Sequence, residues 1–438
     1  MILADDLGYG DIGCYGSPDV PTPHIDSIAR DGVRFTDGYV SCAVCSPSRA
    51  ALLTGQYQNR FGHEFNPERP EHEVEINFGL PDSARILPQY LKPAGYRSGM
   101  VGKWHLGGRP GFRPLERGFD EFYGFLGGAS AYVTAKTPGA SLVPSGDGRE
   151  ALGQPRDIAI MRGQDTIEED RYLTDVFGQE AAAFIDRNRR QPFFLHLSFN
   201  AVHTPLHATA KYLNRFAGIK NERHRQLAAM TSAMDDAIGV VLGKLREKGL
   251  DKETMVVFLS DNGCPEVTGA GTNGPLAGEK ASYFEGGIRV PFAMRWPGKL
   301  PAGKVFREAV TARDIVPTFL AAASLQSQTA FDGVDIIPYL QGIRGGRPHG
   351  DLFWRAGEGR AMRRANWKLV ENGNSFSGLF DLAKDIGESR DLSSEHPAVL
   401  AGMRSAWKAW SDSMTRPRWP SRRFRKVTVN GVTTDWQS

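Results

Sequence analysis

The sequence has little of what marks several common protein classes. Its four cysteines (Cys14, Cys42, Cys45 and Cys264) are too few for a disulfide framework in 438 residues. No apolar run reaches the roughly 18–20 residues that a membrane-spanning helix needs. A formal charge of +3, from 53 Lys+Arg against 50 Asp+Glu, gives no basic field that would draw nucleic acid. Cys42-Ala43-Val44-Cys45 is a C-x-x-C without the second pair a zinc ribbon requires. Its continuation through Pro47 and Arg49 is not part of a thioredoxin-like redox pattern. There are no internal repeats and no visible secretory signal. Met1 to Ala4 reads as the end of a strand already in progress, so the N-terminus is read as cut at the front, with any leader upstream.

What remains is an ordinary globular composition, 40% hydrophobic and 24% charged, in a chain long for one core. One large domain over 1–350 and a smaller one over 351–438 are expected. Helical spacing is found over 22–31, 83–93, 170–190, 224–248 and 397–414. Strand-like runs cover 33–40, 96–101, 192–199, 254–259 and 290–296. The stretch 107–163 reads as loops. Alternating strands and helices predict an α/β fold, a mainly parallel central sheet flanked by helices. Beyond about residue 350 the pattern becomes short antiparallel strands plus one helix. The basic residues Arg422, Arg423, Arg425 and Lys426 read as a solvated end.

The chemistry-bearing residues follow the strand-like runs. Asp5 and Asp6, Lys103 and His105, His203, and Asp261 with Asn262 each come directly after one. In a parallel sheet those ends lie along one edge, where open α/β folds place ligands. Asp5, Asp6, Asp261 and Asn262 are hard oxygen donors suited to Ca²⁺ or Mg²⁺ rather than zinc. Lys103 and His105 would point the same way if extended geometry persists. His203 is a candidate general acid, with His207 as a rival on sequence alone.

The stretch from Cys45 to Gly55 ties these together. Ser46 is expected to cap a helix, with Pro47 in its first turn and Gly55 at its end. Cys45 then sits before a helix N-terminus, where free N–H groups and the dipole favour an anion. Arg49 brings a fixed guanidinium one turn on. A nucleophile precursor, an anion cradle and a permanent cation point to chemistry on a tetrahedral oxyanion.

Cys45-x-Pro47-x-Arg49, continuing Ala50-Ala51-Leu52-Leu53-Thr54-Gly55, resembles the signature of the type I sulfatases of the alkaline-phosphatase-like superfamily. The resemblance covers essentially the whole chain. It implies oxidation of Cys45 to formylglycine by a dedicated maturation enzyme, and one Ca²⁺ held by Asp5, Asp6, Asp261, Asn262 and the modified Cys45. It also implies sulfate contacts from Lys103 and Lys280, a proton relay at His105, and His203 rather than His207 as the acid. A small C-terminal subdomain and a periplasmic or secreted location go with it. The segment 380–388 departs from the family form, lacking the proline that tends to follow its second aspartate.

Bacterial members of this build mostly act on sulfated sugars, and Arg60 to Asn66 resembles the branch active on galactans such as carrageenan. His63, Arg109, Arg113 and His207 are candidate sugar contacts. A phosphonate or phosphodiester hydrolase of the same superfamily is the first rival reading, and a catalytically silent polyanion-binding protein the second.

Overall fold

Alternation of side chains along the strands builds two cores on one sheet. The computed structural model describes residues 1–67, 78–143, 159–421 and 423–438. From edge to edge the sheet runs Lys304–Phe306, Val33–Phe35, Phe292–Arg295, Val256–Ser260, Ile2–Ala4, Phe193–Ser198, Arg97–Lys103, Glu121–Phe125, Ile160–Arg162 and Asp165–Ile167. The strands from Val256–Ser260 through Glu121–Phe125 are mutually parallel. Met1, Leu3, Met100, Val257 and Leu259 face one core, with the helices Cys45–Thr54, Leu87–Leu91 and Ile315–Ala322. Ile2, Ala4, Val101, Val256 and Phe258 face the other, against Pro23–Arg30, Leu173–Asn188 and Glu222–Glu247. The period of two along each strand is what divides them.

The expected strand over 33–40 is split into Val33–Phe35 and Gly38–Tyr39. Between them Asp37 leaves the ladder to accept hydrogen bonds from Arg289 and Arg363. Phe292–Arg295 runs antiparallel to both neighbours, so the sheet is mixed at that side. The loop reading of 107–163 also needs correction within its described residues, 144–158 lying outside them. Glu121–Phe125 is a central-sheet strand paired in parallel with Arg97–Lys103, with Phe122 and Phe125 buried in opposite cores.

Past residue 350 four strands, Asp351–Ala356, Gly359–Arg364, Trp367–Asn372 and Phe376–Asp381, form an antiparallel meander. One face (Leu352, Trp354, Ala361, Val370, Phe380) joins the first core of the main sheet. Met362, Leu369 and Leu379 on the other face close over Met403 of the helix Pro397–Asp412.

The C-terminal stretch is folded, with Arg423 and Lys426 of its basic cluster exposed as expected and Arg425 half-exposed. Phe424–Val429 and Val432–Gln437 form a hairpin whose turn, Asn430-Gly431, has φ of 50° and 80°. Both values suit the primed turns that match strand twist. Val427, Val429 and Trp436 bury into the first core. Arg422 of the basic cluster lies outside the described residues. Among the described residues no helix is long and apolar enough to cross a membrane.

Candidate active site around Cys45

Four adjacent parallel strands end at one place. Ile2–Ala4 delivers Asp5 and Asp6, and Val256–Ser260 delivers Asp261 and Asn262. Arg97–Lys103 ends on Lys103 itself, and Phe193–Ser198 leads to His203. The helix Cys45–Thr54 starts there, and the loop before the short helix Glu285–Ile288 adds Lys280. Residues 274 positions apart in sequence thus share one hydrogen-bonded cluster.

The Cys45 thiol lies 3.5 Å from Asp5 Oδ1 and 4.0 Å from Asp6 Oδ1, with Lys280 Nζ at 3.4 Å. Lys280 donates to both Asp6 oxygens at 2.6 and 2.8 Å, and Lys103 donates to Asp5 Oδ2 at 2.5 Å. Arg49 holds Asp261 Oδ2 through Nε at 2.9 Å and Nη2 at 2.7 Å. Its Nη1 donates to Ser198 Oγ at 2.6 Å and to the Lys103 carbonyl at 3.1 Å. The Asn262 amide donates to Asp6 Oδ1 at 2.6 Å, and the Asp6 N–H donates to Asp261 Oδ1 at 3.2 Å. His203 Nε2 stands 3.7 Å from Asp6 Oδ2.

Three carboxylates (Asp5, Asp6, Asp261) and three cations (Arg49, Lys103, Lys280) therefore balance in a nearly closed space. A divalent cation together with a sulfate dianion would leave that balance unchanged. Burial pushes the Cys45 thiol up to about 12, with Asp261 adding to it. The thiol is protonated at neutral pH and is no nucleophile as it stands. Burial would also raise Asp6, but Lys280 and His203 outweigh it and hold that carboxyl below its ordinary range. Burial, then the neighbouring Asp5, pushes Asp261 up against the pull of Arg49. Burial lowers His203 to about 3 despite the attraction of Asp6, and lowers His105 well below its ordinary value.

The residues fit a bound divalent cation. Ligand atoms of Asp5, Asp6, Cys45 and His203 all lie within 4.8 Å of one another. Asn262 Oδ1 is buried and has no partner among the described residues. An orphaned amide oxygen among carboxylates is a hard-donor set in need of a cation.

Two local expectations change. The helix begins at Cys45 with Val44 as its cap residue, and Ser46 does not cap it. Instead Ser46 Oγ donates to the His105 carbonyl at 2.6 Å and meets His63 Nε2 at 2.7 Å. Extended geometry does not persist past Lys103 either, because His105 adopts φ 59°. Its ring packs on Gly128, where an added Cβ would fall 2.6 Å from Nε2. Its carbonyl is tied to the start of the Cys45 helix through Ser46, and burial, then the positive charges of Lys103 and Arg49, lowers its ring below the ordinary value.

The four candidate sugar contacts divide. His63 is fully buried, edge-on to Trp419 at 4.9 Å, and His207 is 2% exposed beside Tyr132. Neither has surface to offer a sugar, which corrects that expectation. Arg109 and Arg113 are half-exposed on the loop after Lys103, with Arg113 Nε on the Gly108 carbonyl at 2.8 Å.

Sequence reasoning missed the supports. Ser198 orients Arg49, and Tyr132 donates to the Asn200 and His203 carbonyls. The buried Asn273 amide bonds both backbone groups of Cys264 at 2.9 Å and the Gly278 carbonyl at 3.3 Å, joining the Asp261 loop to the Lys280 loop. Single hydroxyls and amides carry no sequence pattern that would reveal such roles.

Residues 1–325 match the family model described as Sulfatase. N-acetylgalactosamine-6-sulfatase of Sus scrofa is 37% identical over 363 residues, covering 80% of this chain and 67% of that protein. Steryl-sulfatase of Mus musculus is 32% identical over 511 residues, covering 93% and 81%. The chain spans about two thirds, 65–68%, of the length of the N-acetylgalactosamine-6-sulfatases it matches. The solved structure of Ps i-CgsB in complex with k-i-k-neocarrahexaose superposes with a TM-score of 0.86 at 35% identity, covering 96% of this chain and 93% of that one.

Proposed function

The chain belongs to the sulfatases, a family of sulfuric ester hydrolases, and from that premise we propose that it hydrolyses a sulfate ester of a carbohydrate at Cys45. The observation that carries the reading is the meeting of Asp5, Asp6, Arg49, Lys103, His203, Asp261 and Lys280 around one thiol. Converted to formylglycine by a maturation enzyme, residue 45 would supply a hydrated aldehyde as the attacking nucleophile. A Ca²⁺ held by Asp5, Asp6, Asp261, Asn262 and residue 45 would neutralise charge on the sulfate oxygens.

This chain's own side chains do the rest. Lys103 and Lys280 would bind the sulfate oxygens, and Arg49, fixed by Asp261 and Ser198, would hold positive charge beside them. His203, held neutral by burial, would take up a proton as the sulfate anion binds and give it to the departing sugar oxygen, and His105 would take a proton from the remaining hydroxyl of residue 45 as sulfate leaves and the aldehyde is restored. We assign this catalytic work to residues 1–350 and treat 351–438 as a C-terminal subdomain. By family resemblance the protein works in the periplasm or after secretion.

Relatives named for N-acetylgalactosamine sulfate and a solved neighbour holding a neocarrahexaose support a sulfated sugar, and we favour a galactan. Arg109 and Arg113 are the proposed sugar contacts. The test is hydrolysis by matured protein of 4-nitrophenyl sulfate against bis(4-nitrophenyl) phosphate, followed by sulfated galactan oligosaccharides. Preference for the sulfate ester is expected. Preference for the phosphate diester would transfer the assignment to a phosphodiesterase.

A further inference from the structure

The turn after Phe193–Ser198, which carries His203, is held from two sides. On one side the Asp5 N–H donates to the Ala201 carbonyl at 2.9 Å, and the Val202 N–H donates to the Asp5 carbonyl at 2.8 Å. On the other stands Tyr132, a buried side chain from the loop that follows Glu121–Phe125. Its hydroxyl donates to the His203 carbonyl at 2.7 Å and also to the Asn200 carbonyl. The Asn200 amide reaches the Ser130 carbonyl in the same loop at 3.5 Å. Tyr132 is itself fixed, since its carbonyl accepts the Leu173 N–H at 2.8 Å. Its ring packs beside Tyr172 at 6.3 Å and edge-on to His207 at 6.2 Å.

The direction of the His203 ring follows from that turn. Its Nδ1 lies 2.5 Å from the Thr204 carbonyl. A carbonyl can only accept, so Nδ1 carries the hydrogen, and Nε2 is the nitrogen that can gain or give one. Nε2 stands 3.7 Å from Asp6 Oδ2, and a ring nitrogen of His203 lies within 4.8 Å of the Cys45 sulfur. Two successive carbonyls therefore fix where Nε2 points, that of His203 held by Tyr132 and that of Thr204 held by the ring itself. Without the phenol hydroxyl the buried His203 carbonyl would lose this donor, and the turn would shift to satisfy it elsewhere.

We propose that Tyr132 is a positioning residue for the proton that His203 delivers to the leaving oxygen. The assignment rests on the sulfatase reading and deepens it. The leaving oxygen keeps the electron pair of the broken sulfur–oxygen bond and takes the proton from Nε2, which is left with its lone pair. Tyr132 touches neither the substrate nor a reacting atom. It acts through the backbone that carries the His203 ring, so its effect grows with the leaving group's need for a proton.

The test compares matured parent protein and Tyr132→Phe on two esters. One is 4-nitrophenyl sulfate, whose leaving phenolate is weakly basic, and the other is phenyl sulfate, whose leaving group has a pKa of about 10. Tyr132→Phe should lower kcat/KM for phenyl sulfate by about 100-fold, the low end of what a placed general acid supplies, and for 4-nitrophenyl sulfate by less than about threefold. His203→Asn should show the same dependence on the leaving group. Adding Tyr132→Phe to it should cost nothing more, as expected of two residues acting as a unit. Tyr172→Phe, which takes a neighbouring hydroxyl from the His207 carbonyl, should change neither ester. Equal losses on the two esters, no loss on either, or full additivity with His203→Asn would overturn the proposal. A second measurement needs neither turnover nor a variant that folds. At neutral pH the imidazole nitrogen-15 shifts of parent protein with unconverted Cys45 should show His203 protonated at Nδ1 and bare at Nε2, and the opposite tautomer would overturn the proposal as well. Failure of the sulfatase reading would appear separately, in the parent itself, as inability of matured protein to hydrolyse 4-nitrophenyl sulfate.

Discussion

Around Cys45, Asp5, Asp6 and Asp261 face Arg49, Lys103 and Lys280. Where the C-terminal sheet meets the main one, Asp37, Glu285 and Glu388 face Arg289, Arg363 and Lys368. The two clusters each hold three buried acidic and three buried basic side chains and differ in how these are used. In both, every carboxylate oxygen has a donor, and in the second no polar atom of the six side chains is left over. Lys368 reaches Glu285 at 2.7 Å and Glu388 at 3.4 Å, Tyr39 closes on Glu285 at 2.5 Å, and Arg363 takes Asp37 at 2.7 Å. The Glu285 N–H and Arg289 supply the remaining bonds to Glu388, Glu285 and Asp37. Around Cys45, Asn262 Oδ1 and His105 Nδ1 are left without partners, and a thiol stands among them. Buried charge alone therefore does not mark a reactive site. Unfilled ligand capacity beside one thiol is what sets the Cys45 cluster apart and supports the proposed chemistry there.

The sharpest break between the clusters is made at Cys45. Cys45→Ala in a host with the maturation enzyme should lower sulfate-ester hydrolysis by about 10³-fold or more, the loss expected for a removed nucleophile. Its melting temperature should stay close to wild type, because the thiol makes only long contacts, to Asp5 at 3.5 Å, Asp6 at 4.0 Å and Lys280 at 3.4 Å. Lys368→Met should do the reverse. Leaving Glu285 and Glu388 buried without their ammonium should cost about 3–5 kcal/mol in urea titration, while KM of the folded fraction holds.

Calcium distinguishes the clusters next. At about 100 times its Kd, the ion should stabilise wild type by about 2.7 kcal/mol over EDTA-treated protein. Asp261→Asn should lose that gain in thermal unfolding, and Glu285→Gln should keep it.

The smallest effect is a pH dependence in the closed cluster. Burial pushes the Glu388 carboxyl up to about 8, with Glu285 adding to it and Lys368 only partly offsetting it. A carboxyl raised above its unfolded value of 4.5 favours the folded state while protonated. That contribution is complete below the unfolded value and is lost as pH rises through about 8. Thermal melts should show wild type losing stability from pH 5 to pH 9, and Glu388→Gln losing less.

Much of the candidate site is legible because the chain advertises strand ends. Apolar runs stop abruptly at Asp5, Lys103 and Asp261, and parallel strands must end on one edge. What failed was local direction. Nothing in Gly-Lys-Trp-His announces that His105 adopts a left-handed backbone, nor that Ser46 turns from its helix to His63 and the His105 carbonyl. The C-terminal hairpin was legible but overlooked. Val-Asn-Gly-Val between β-branched residues is a turn signal, and it coexists with exposed basic residues on the same hairpin. The exposed and half-exposed arginines carry no pattern that separates sugar contacts from ordinary surface.

The account stands most directly on the chemical state of residue 45. Mass spectrometry of the Cys45 peptide, set beside 4-nitrophenyl sulfate turnover across preparations matured to different extents, gives the decisive comparison. Turnover per mole of protein should rise in proportion to the fraction of thiol converted to aldehyde, and reach zero where none is converted. Full turnover by protein whose Cys45 remains an unmodified thiol would contradict it.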